Sequence, residues 1–418
     1  MVSKEGEGPS PELRFLKECF REYYRENRIE PPYRFARREW GFFPFGGKMM
    51  YRHAAFSRRE ELFRFFPRQV PMHAYHSVAY YKEPDLQPMG DKFRTWMGAD
   101  LVFDLDADHL PDADRMSYEK QLSSVKSEVK RLLFDFLLDD LGFPEDGTQL
   151  NFSGGRGYHI HVRNPSVLSL GSRERRAIVD YITGRGIDFD VLFPEVTTDV
   201  NVHFGSAKTR RDFRSRTYGG WVTRIYRAKN EILKKMMEMD DDKERAKFLL
   251  EISGDNKLGI KDKKCHTIVE DLFSKGGGES AKRMIREDRF ALSSRKRIDI
   301  DLLKLVKAYA SVKLSGETDE PVTTDIKRLI RVQGSLHGKT GFKVVPVELD
   351  SLDDFDPLVD AVVLPSHGKD ILVHGKKEIE IGGEKHHLSE GQQTVPRYLA
   401  YFLVARREAI LPRSHPEH

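Results

Sequence analysis

Cysteine is scarce in this chain: 418 residues contain two, Cys19 and Cys265. Two thiols so far apart exclude a disulfide framework and favour a reducing, intracellular compartment. Long hydrophobic runs are missing as well. No stretch approaches the roughly 18 consecutive apolar residues that a membrane span needs, and the N-terminal MVSKEGEGPSPELRF has no apolar signal core. Charge of one sign is also missing, because 70 basic residues against 66 acidic ones leave a net +4. That excludes a histone-like polycation, so any nucleic-acid face has to come from local clustering. There is no internal repeat and no long low-complexity tract. The expectation is a soluble, cytoplasmic protein without a membrane segment. Its hydrophobic content, 39%, supports a sizeable core, and about 150 residues per domain allow two or three folding units.

Residues 11–30 place Leu13, Leu16, Phe20 and Tyr23/Tyr24 at helical spacing. Residues 38–103 alternate aromatic and polar positions among Gly and Pro, which predicts short strands and turns. LVFDLDAD (101–108) reads as a strand running into acid. Leu122, Val125, Val129, Leu132/Leu133 and Phe136 mark a helix closed by Gly142 and Pro144, and LNFSGGRGYHIHV (150–162) reads as strand, Gly-rich turn, strand. From about residue 226 to 310 the chain turns rich in Lys, Glu, Met and Leu, with little strand signal and a break at KGGGES (275–280). RLIRVQGSLH and KVVPVEL then return to the β-like pattern. These features predict an α+β fold: a mixed, mainly antiparallel twisted sheet core formed by residues 1–225 and 311–418, with a helical subdomain, 226–310, inserted.

Asp104 and Asp106 stand two apart in the predicted strand, so both carboxylates face one side, about 6.6 Å apart along it. Leu105 and Phe103 then face the other side. Paired carboxylates on a rigid strand suit shared divalent ions of the kind polymerases use, and hard oxygen donors favour Mg²⁺ or Mn²⁺. A strand ending in a solvated acidic loop gives the same pattern, since Asp108, Asp112 and Asp114 follow. The nucleophilic Asp of haloacid-dehalogenase phosphohydrolases is a third reading, opposed by Asp108 where Thr or Val is usual.

In Ser153-Gly154-Gly155-Arg156-Gly157-Tyr158-His159, three glycines let the backbone approach a ligand and turn N–H groups toward phosphate oxygens. Arg156 can pair bidentately with phosphate, Ser153 can donate a further bond, and His159 shares a face with His161. A plain hairpin turn with a surface arginine is the bland alternative. DIKRLIRVQGSLHGKTG gathers Arg328, Arg331, His337 and Lys339 around another turn. Gly334 and Gly338 are separated by three residues where a P-loop needs four, which speaks against an ATPase. KTRRDFRSR (208–216) sets five cations around Phe213, and Arg34, Arg37 and Arg38 flank Phe35 and Trp40. Either is a backbone track for nucleic acid or a solvated face.

The order of these motifs carries more than any one of them. REWGFFPFGGKMMYRHAAF (38–56), AYHSVAYY (74–81), ADLVFDLDADHL (99–110), NFSGGRGYHIHV (151–162) and DEPVTTDIKRLIRVQGSLHGKTG (319–341) together resemble the small, catalytic subunit of archaeal and eukaryotic primases, over roughly residues 10–345. The resemblance implies a DNA-dependent primase, a nucleotidyltransferase that makes short primers for DNA replication by two-metal chemistry. It implies Asp104 and Asp106 as metal-binding and catalytic residues. The third carboxylate falls eighteen positions before His337 in the family pattern, which selects Asp319 over its neighbour Asp325. Ser153, Gly154, Gly155, Arg156 and His159 match residues around the incoming triphosphate; Arg331, His337 and Lys339 match the other side of that pocket. Glu39 and Arg52 match site-lining residues, with Arg52 toward the nucleotide.

The implied partners are single-stranded DNA template, nucleoside triphosphates and a large subunit bearing an iron–sulfur cluster, which this chain lacks the cysteines to hold itself. One departure stands out. The family's zinc module follows the Asp-x-Asp strand, yet residues 107–130 contain no cysteine and only His109. A structural zinc is therefore expected to be absent.

Overall fold

The computed structural model describes residues 9–109, 113–200, 208–213, 215, 219–254, 258–274, 277–287, 290, 296–310 and 320–412. The chain divides into two compact units, one of residues 1–179 with 313–418 and one of residues 180–312.

The first unit opens with the helix Pro11–Glu26. Ser10 caps it by accepting a hydrogen bond from the Leu13 N–H at 3.2 Å, and Pro11 occupies the first turn, where its missing N–H costs nothing. Phe15, Cys19, Phe20, Tyr23 and Tyr24 form the buried stripe. Strands β1 (Trp40–Pro44), β2 (Tyr51–Ala54) and β3 (Pro71–Ser77) follow, then a hairpin of β4 (Ala79–Tyr81) and β5 (Trp96–Ala99). A helix, Arg59–Gln69, interrupts the predicted run of strands. Its Leu62 and Phe66 stand one turn apart and are buried, while Glu61 accepts from the Ser57 and Arg58 N–H groups ahead of the first turn. The density of phenylalanine and Pro67 hides this helix from a pattern reading.

Strands β6 (Leu101–Asp106), β7 (Thr148–Phe152) and β8 (Gly157–Val162) build the central sheet. In the second unit β9 (Glu195–Val200) pairs with β10 (Lys208–Phe213), the backbone of the KTRRDF run; Arg214 and Arg216 lie outside the described residues. The helices Gly220–Met237, Asp242–Ser253, Asp262–Val269, Glu279–Arg286 and Lys296–Ala310 follow. This unit starts at Asp180, well before the compositional change at about residue 226, because it also takes in the β9–β10 hairpin.

Back in the first unit, β11 (Leu329–Arg331) and β12 (Val345–Val347) complete two four-stranded sheets, ordered β11-β3-β1-β2 and β12-β7-β8-β6. C-terminal strands β13 (Gly368–Val373), β14 (Lys377–Ile381), β15 (Glu384–Leu388), β16 (Gly391–Pro396) and β17 (Ala409–Ile410) add a three-stranded sheet and a hairpin. Every strand pairing among the described residues is antiparallel, so the fold is α+β as expected. Leu101, Phe103 and Leu105 are buried on one face of β6, under the helix Tyr118–Lys130. Each such side chain contributes about 1.5–3 kcal/mol. On the other face Val102 packs with Val78, Ala79, Tyr81, Ile326 and Ile330.

A buried ionic network holds the first unit together. Arg38, two residues before β1, is fully buried and donates to Asp100, directly before β6, at 2.7 Å, and to the Tyr33 and Ser77 carbonyls at 2.8 and 2.6 Å. Tyr80 Oη donates to the same carboxylate. Arg163 and His161 approach it at 3.5 and 3.9 Å. This corrects the reading of Arg38 as a surface cation for nucleic acid. His161, which shares a face with His159, belongs to this network. Burial alone would raise the Asp100 carboxyl, but Arg38, then His161 and Tyr80, hold it well below the usual carboxylate range.

Candidate active site

The alternation of β6 brings Asp104 and Asp106 out of the core where Val102 leaves off. Asp104 pairs in register with His159 on β8, which pairs with Asn151 on β7. These three side chains form a row across the sheet. His159 Nε2 lies 3.4 Å from Asp104 Oδ1.

The turn between β7 and β8 is pinned from several sides. Ser153 N–H donates to the Gly157 carbonyl at 2.9 Å, and Ser153 Oγ accepts from the Gly155 N–H at 3.3 Å. The Tyr118 and Thr340 hydroxyls donate to the Gly155 and Gly154 carbonyls, each at 2.6 Å. Gly154 has φ +77°, and a Cβ there would sit 2.9 Å from the Cβ of His337. Only glycine satisfies both conditions. Arg156 donates to Asp108 and, at 3.3 Å, to Gln121 Oε1.

The Ser335–Gly341 turn, following β11, closes the opposite side. His337 Nδ1 accepts from the Lys339 N–H at 3.3 Å, which assigns the ring proton to Nε2. That Nε2 lies toward Gly155, where a Cβ would be 3.3 Å away. Arg331 donates to His73 Nδ1 at 2.7 Å and lies over the Tyr75 ring, 5.1 Å from its centroid.

These elements enclose an open cleft of about 210 Å³ lined by Asp104, Asp106, Ser153, Gly155, His159, Arg331 and His337, together with Tyr75, Arg328, Leu329 and Ile330. Of the residues singled out from sequence, Gly154 supports the turn beneath, and Arg156 and Lys339 border the cleft, their charges felt by His337. Glu39 and Arg52 lie in a separate cluster. Glu39 is fully buried and meets Arg52 Nε at 3.0 Å and Lys92 Nζ at 3.1 Å. Asp319 lies outside the described residues. Its rival Asp325 accepts from the Lys327 N–H at 2.9 Å, a local turn cap, and is not among the cleft-lining residues. Tyr75, on β3, lies in the AYHSVAYY stretch and His73 just ahead of it, but neither is given a role in the site by the sequence.

The two cleft carboxyls differ. Burial would raise Asp104, but His159 and then Arg328 and Arg331 hold it below the usual range. Burial raises Asp106, and the Asp108 and Asp104 charges raise it further against the Asp108 N–H and Arg156. His337 is pushed well below the ordinary imidazole value by burial and then by Arg331, His73 and Lys339, so it is a neutral donor. Among the described residues no three Asp, Glu, His or Cys side chains are grouped to hold an ion. Asp104 and Asp106 offer a pair of hard oxygen donors whose mutual repulsion a divalent cation would relieve, so they fit one.

Comparison with known proteins settles the family. A family model described as DNA primase small subunit matches residues 103–349, the span that holds both carboxylates and both turns. The chain belongs to this family. Curated relatives named DNA primase small subunit PriS include one from Methanococcoides burtonii, 40% identical over 407 residues, covering 94% of this chain and 97% of that protein. Another, from Methanocella arvoryzae, is 38% identical over 405 residues with the same two coverages, 94% and 97%. A third, from Methanothrix thermoacetophila, is 40% identical over 402 residues, again covering 94% and 97%. The small subunit is the catalytic, nucleotidyltransferase subunit of a DNA primase. No helix among the described residues is long and apolar enough to cross a membrane.

Proposed function

We propose that this chain starts DNA copies by joining nucleoside triphosphates on a single-stranded DNA template, with Asp104 and Asp106 as the centre of the chemistry. The observation that carries this is the shared cleft: two carboxylates on β6 face a glycine-rich turn and a cation-bearing turn across a space of about 210 Å³. Asp104 and Asp106, with Asp319 as third ligand, would hold two Mg²⁺ or Mn²⁺ ions, which supply charge neutralisation and activation of the attacking 3′-hydroxyl. Ser153 and the Gly154–Gly155 backbone cradle the triphosphate. Arg156, His159, Arg331, His337 and Lys339 orient it and offset the charge that develops on departing pyrophosphate. His337, neutral with its proton on Nε2, gives a hydrogen bond without competing for a proton. Glu39 fixes Arg52 in the separate cluster, from which Arg52 would reach toward the nucleotide. The chain works with a large subunit, a reading supported by the relatives' being named small subunits; that the large subunit bears an iron–sulfur cluster belongs to the same proposal.

The test offers unprimed and primed single-stranded templates, with labelled nucleotides and Mg²⁺ or Mn²⁺, to the chain alone and with a large subunit added. Short products from the unprimed template support the reading. Extension of supplied primers only, in both settings, would assign the chain to strand extension instead.

A further inference from the structure

His73 stands behind the phosphate-facing cations. Its side chain is 7% exposed, on the face of β3 that bears Tyr75. Its Nδ1 accepts from Arg331 Nη1 at 2.7 Å and from the Gly338 N–H at 3.3 Å, and its ring meets His337 edge-on with centroids 5.0 Å apart. Gly338 is pressed against the same place: a Cβ there would lie 2.9 Å from the Met72 carbonyl and 3.0 Å from His73 Cε1. One imidazole therefore fixes both the guanidinium of Arg331 and the turn that carries His337.

The chemistry of this anchor is specific. Two donors on Nδ1 require its lone pair, hence a neutral ring, and burial with Arg331 and Lys339 nearby pushes His73 down to about 2. Arg331 is half-buried in the cleft wall, where the charges of Asp104 and Asp106 reach it, and its hydrogen-bond partner is the neutral imidazole of His73. A carboxylate would orient the guanidinium equally well but cancel its charge. Resting on the primase reading of this cleft, we infer that His73 is a positioning residue that holds Arg331 and the His337 turn for the triphosphate without setting a further negative charge beside the guanidinium.

Three substitutions separate these duties. His73→Asn keeps a neutral acceptor, His73→Ala removes it, and His73→Asp keeps an acceptor but adds charge. The readouts are the Kd for ATP with Mn²⁺, KM and kcat on an oligo(dT) template, the Kd for the template, and thermal midpoints. His73→Ala is expected to weaken ATP binding about tenfold or more, the scale of a lost hydrogen bond to a charged group. His73→Asn should stay within about threefold of wild type on the same scale, and His73→Asp should bind ATP at least as poorly as His73→Ala. Template Kd should not move, and His73→Ala added to Arg331→Ala should cost clearly less than the sum of the two single losses, the remainder being its hold on the His337 turn. If His73→Ala does not fold, the Asn and Asp pair still decides. Equal ATP affinity for Asn and Asp variants, or additive His73→Ala and Arg331→Ala losses, would overturn the inference alone. Wild-type protein that fails to bind ATP would overturn the reading beneath it as well.

Discussion

Removing Arg38 tests whether the first unit hangs on its buried charge network. Arg38→Met keeps most of the volume and deletes donors to Tyr33 O, Ser77 O, Tyr80 Oη and Asp100 Oδ2. Stranding a buried acceptor costs about 1–3 kcal/mol, and breaking a buried ion pair by removing one partner costs about 3–5 kcal/mol. Asp100 keeps Arg163 at 3.5 Å and the Tyr80 hydroxyl, and Ser77 O keeps a contact with His76 Nδ1 at 3.1 Å. The loss is therefore set at roughly 3–5 kcal/mol, not the sum over every bond. Hydrogen exchange of β1 and β6 peptides reads this locally, as protection lower by about two to three and a half orders of magnitude. The pH dependence carries a second signature. A carboxyl whose folded value is depressed contributes stability above its unfolded value, about 4, that is lost as pH falls through the folded value. Wild type should lose protection below about pH 4, and Arg38→Met should have little of this component left to lose. A drop below about 1 kcal/mol would refute the argument, because it would make the pair no stronger than a surface one.

Other consequences follow from the cleft. Gly154→Ala forces a side chain into φ +77° against His337, and should raise the KM for nucleotide several-fold with about 1–3 kcal/mol lost in stability, read by steady-state kinetics and melting. Mn²⁺ binding, followed by electron paramagnetic resonance, should tighten by up to about tenfold per pH unit below the raised Asp106 carboxyl and then level off, because the ion displaces one proton. Tyr118→Phe removes the hydroxyl that holds the Gly155 carbonyl at 2.6 Å. It should cost about 1 kcal/mol and weaken triphosphate binding more than template binding in parallel titrations.

Much of this arrangement was legible in the residues. The β6 strand announced itself because Leu101, Phe103 and Leu105 alternate with positions that end in Asp104 and Asp106, and period-2 patterning is strong when one face is buried. The Gly154–Gly157 turn was legible for the same kind of reason: glycine density between two apolar strands has few other uses. What stayed hidden was long-range. Arg38 is 62 residues from Asp100, and nothing local distinguishes a buried arginine from its exposed neighbours Arg34 and Arg37. His73 lies 258 residues from Arg331, so its role exists only once β3 and β11 pair. The helix Arg59–Gln69 was masked by aromatics and Pro67 that imitate strand composition. The second unit takes in the β9–β10 hairpin, which composition did not suggest, since its KTRRDF strand reads as a charge run rather than as structure.

The account's central claim is that Asp104 and Asp106 perform metal-dependent nucleotidyl transfer in the cleft. The most direct measurement is primer synthesis on unprimed single-stranded DNA by wild type and by Asp104→Asn and Asp106→Asn, with melting checked in parallel. The account predicts short products that require Mg²⁺ or Mn²⁺ and vanish in both variants while the fold persists. Undiminished synthesis by a folded Asp104→Asn or Asp106→Asn protein would contradict it.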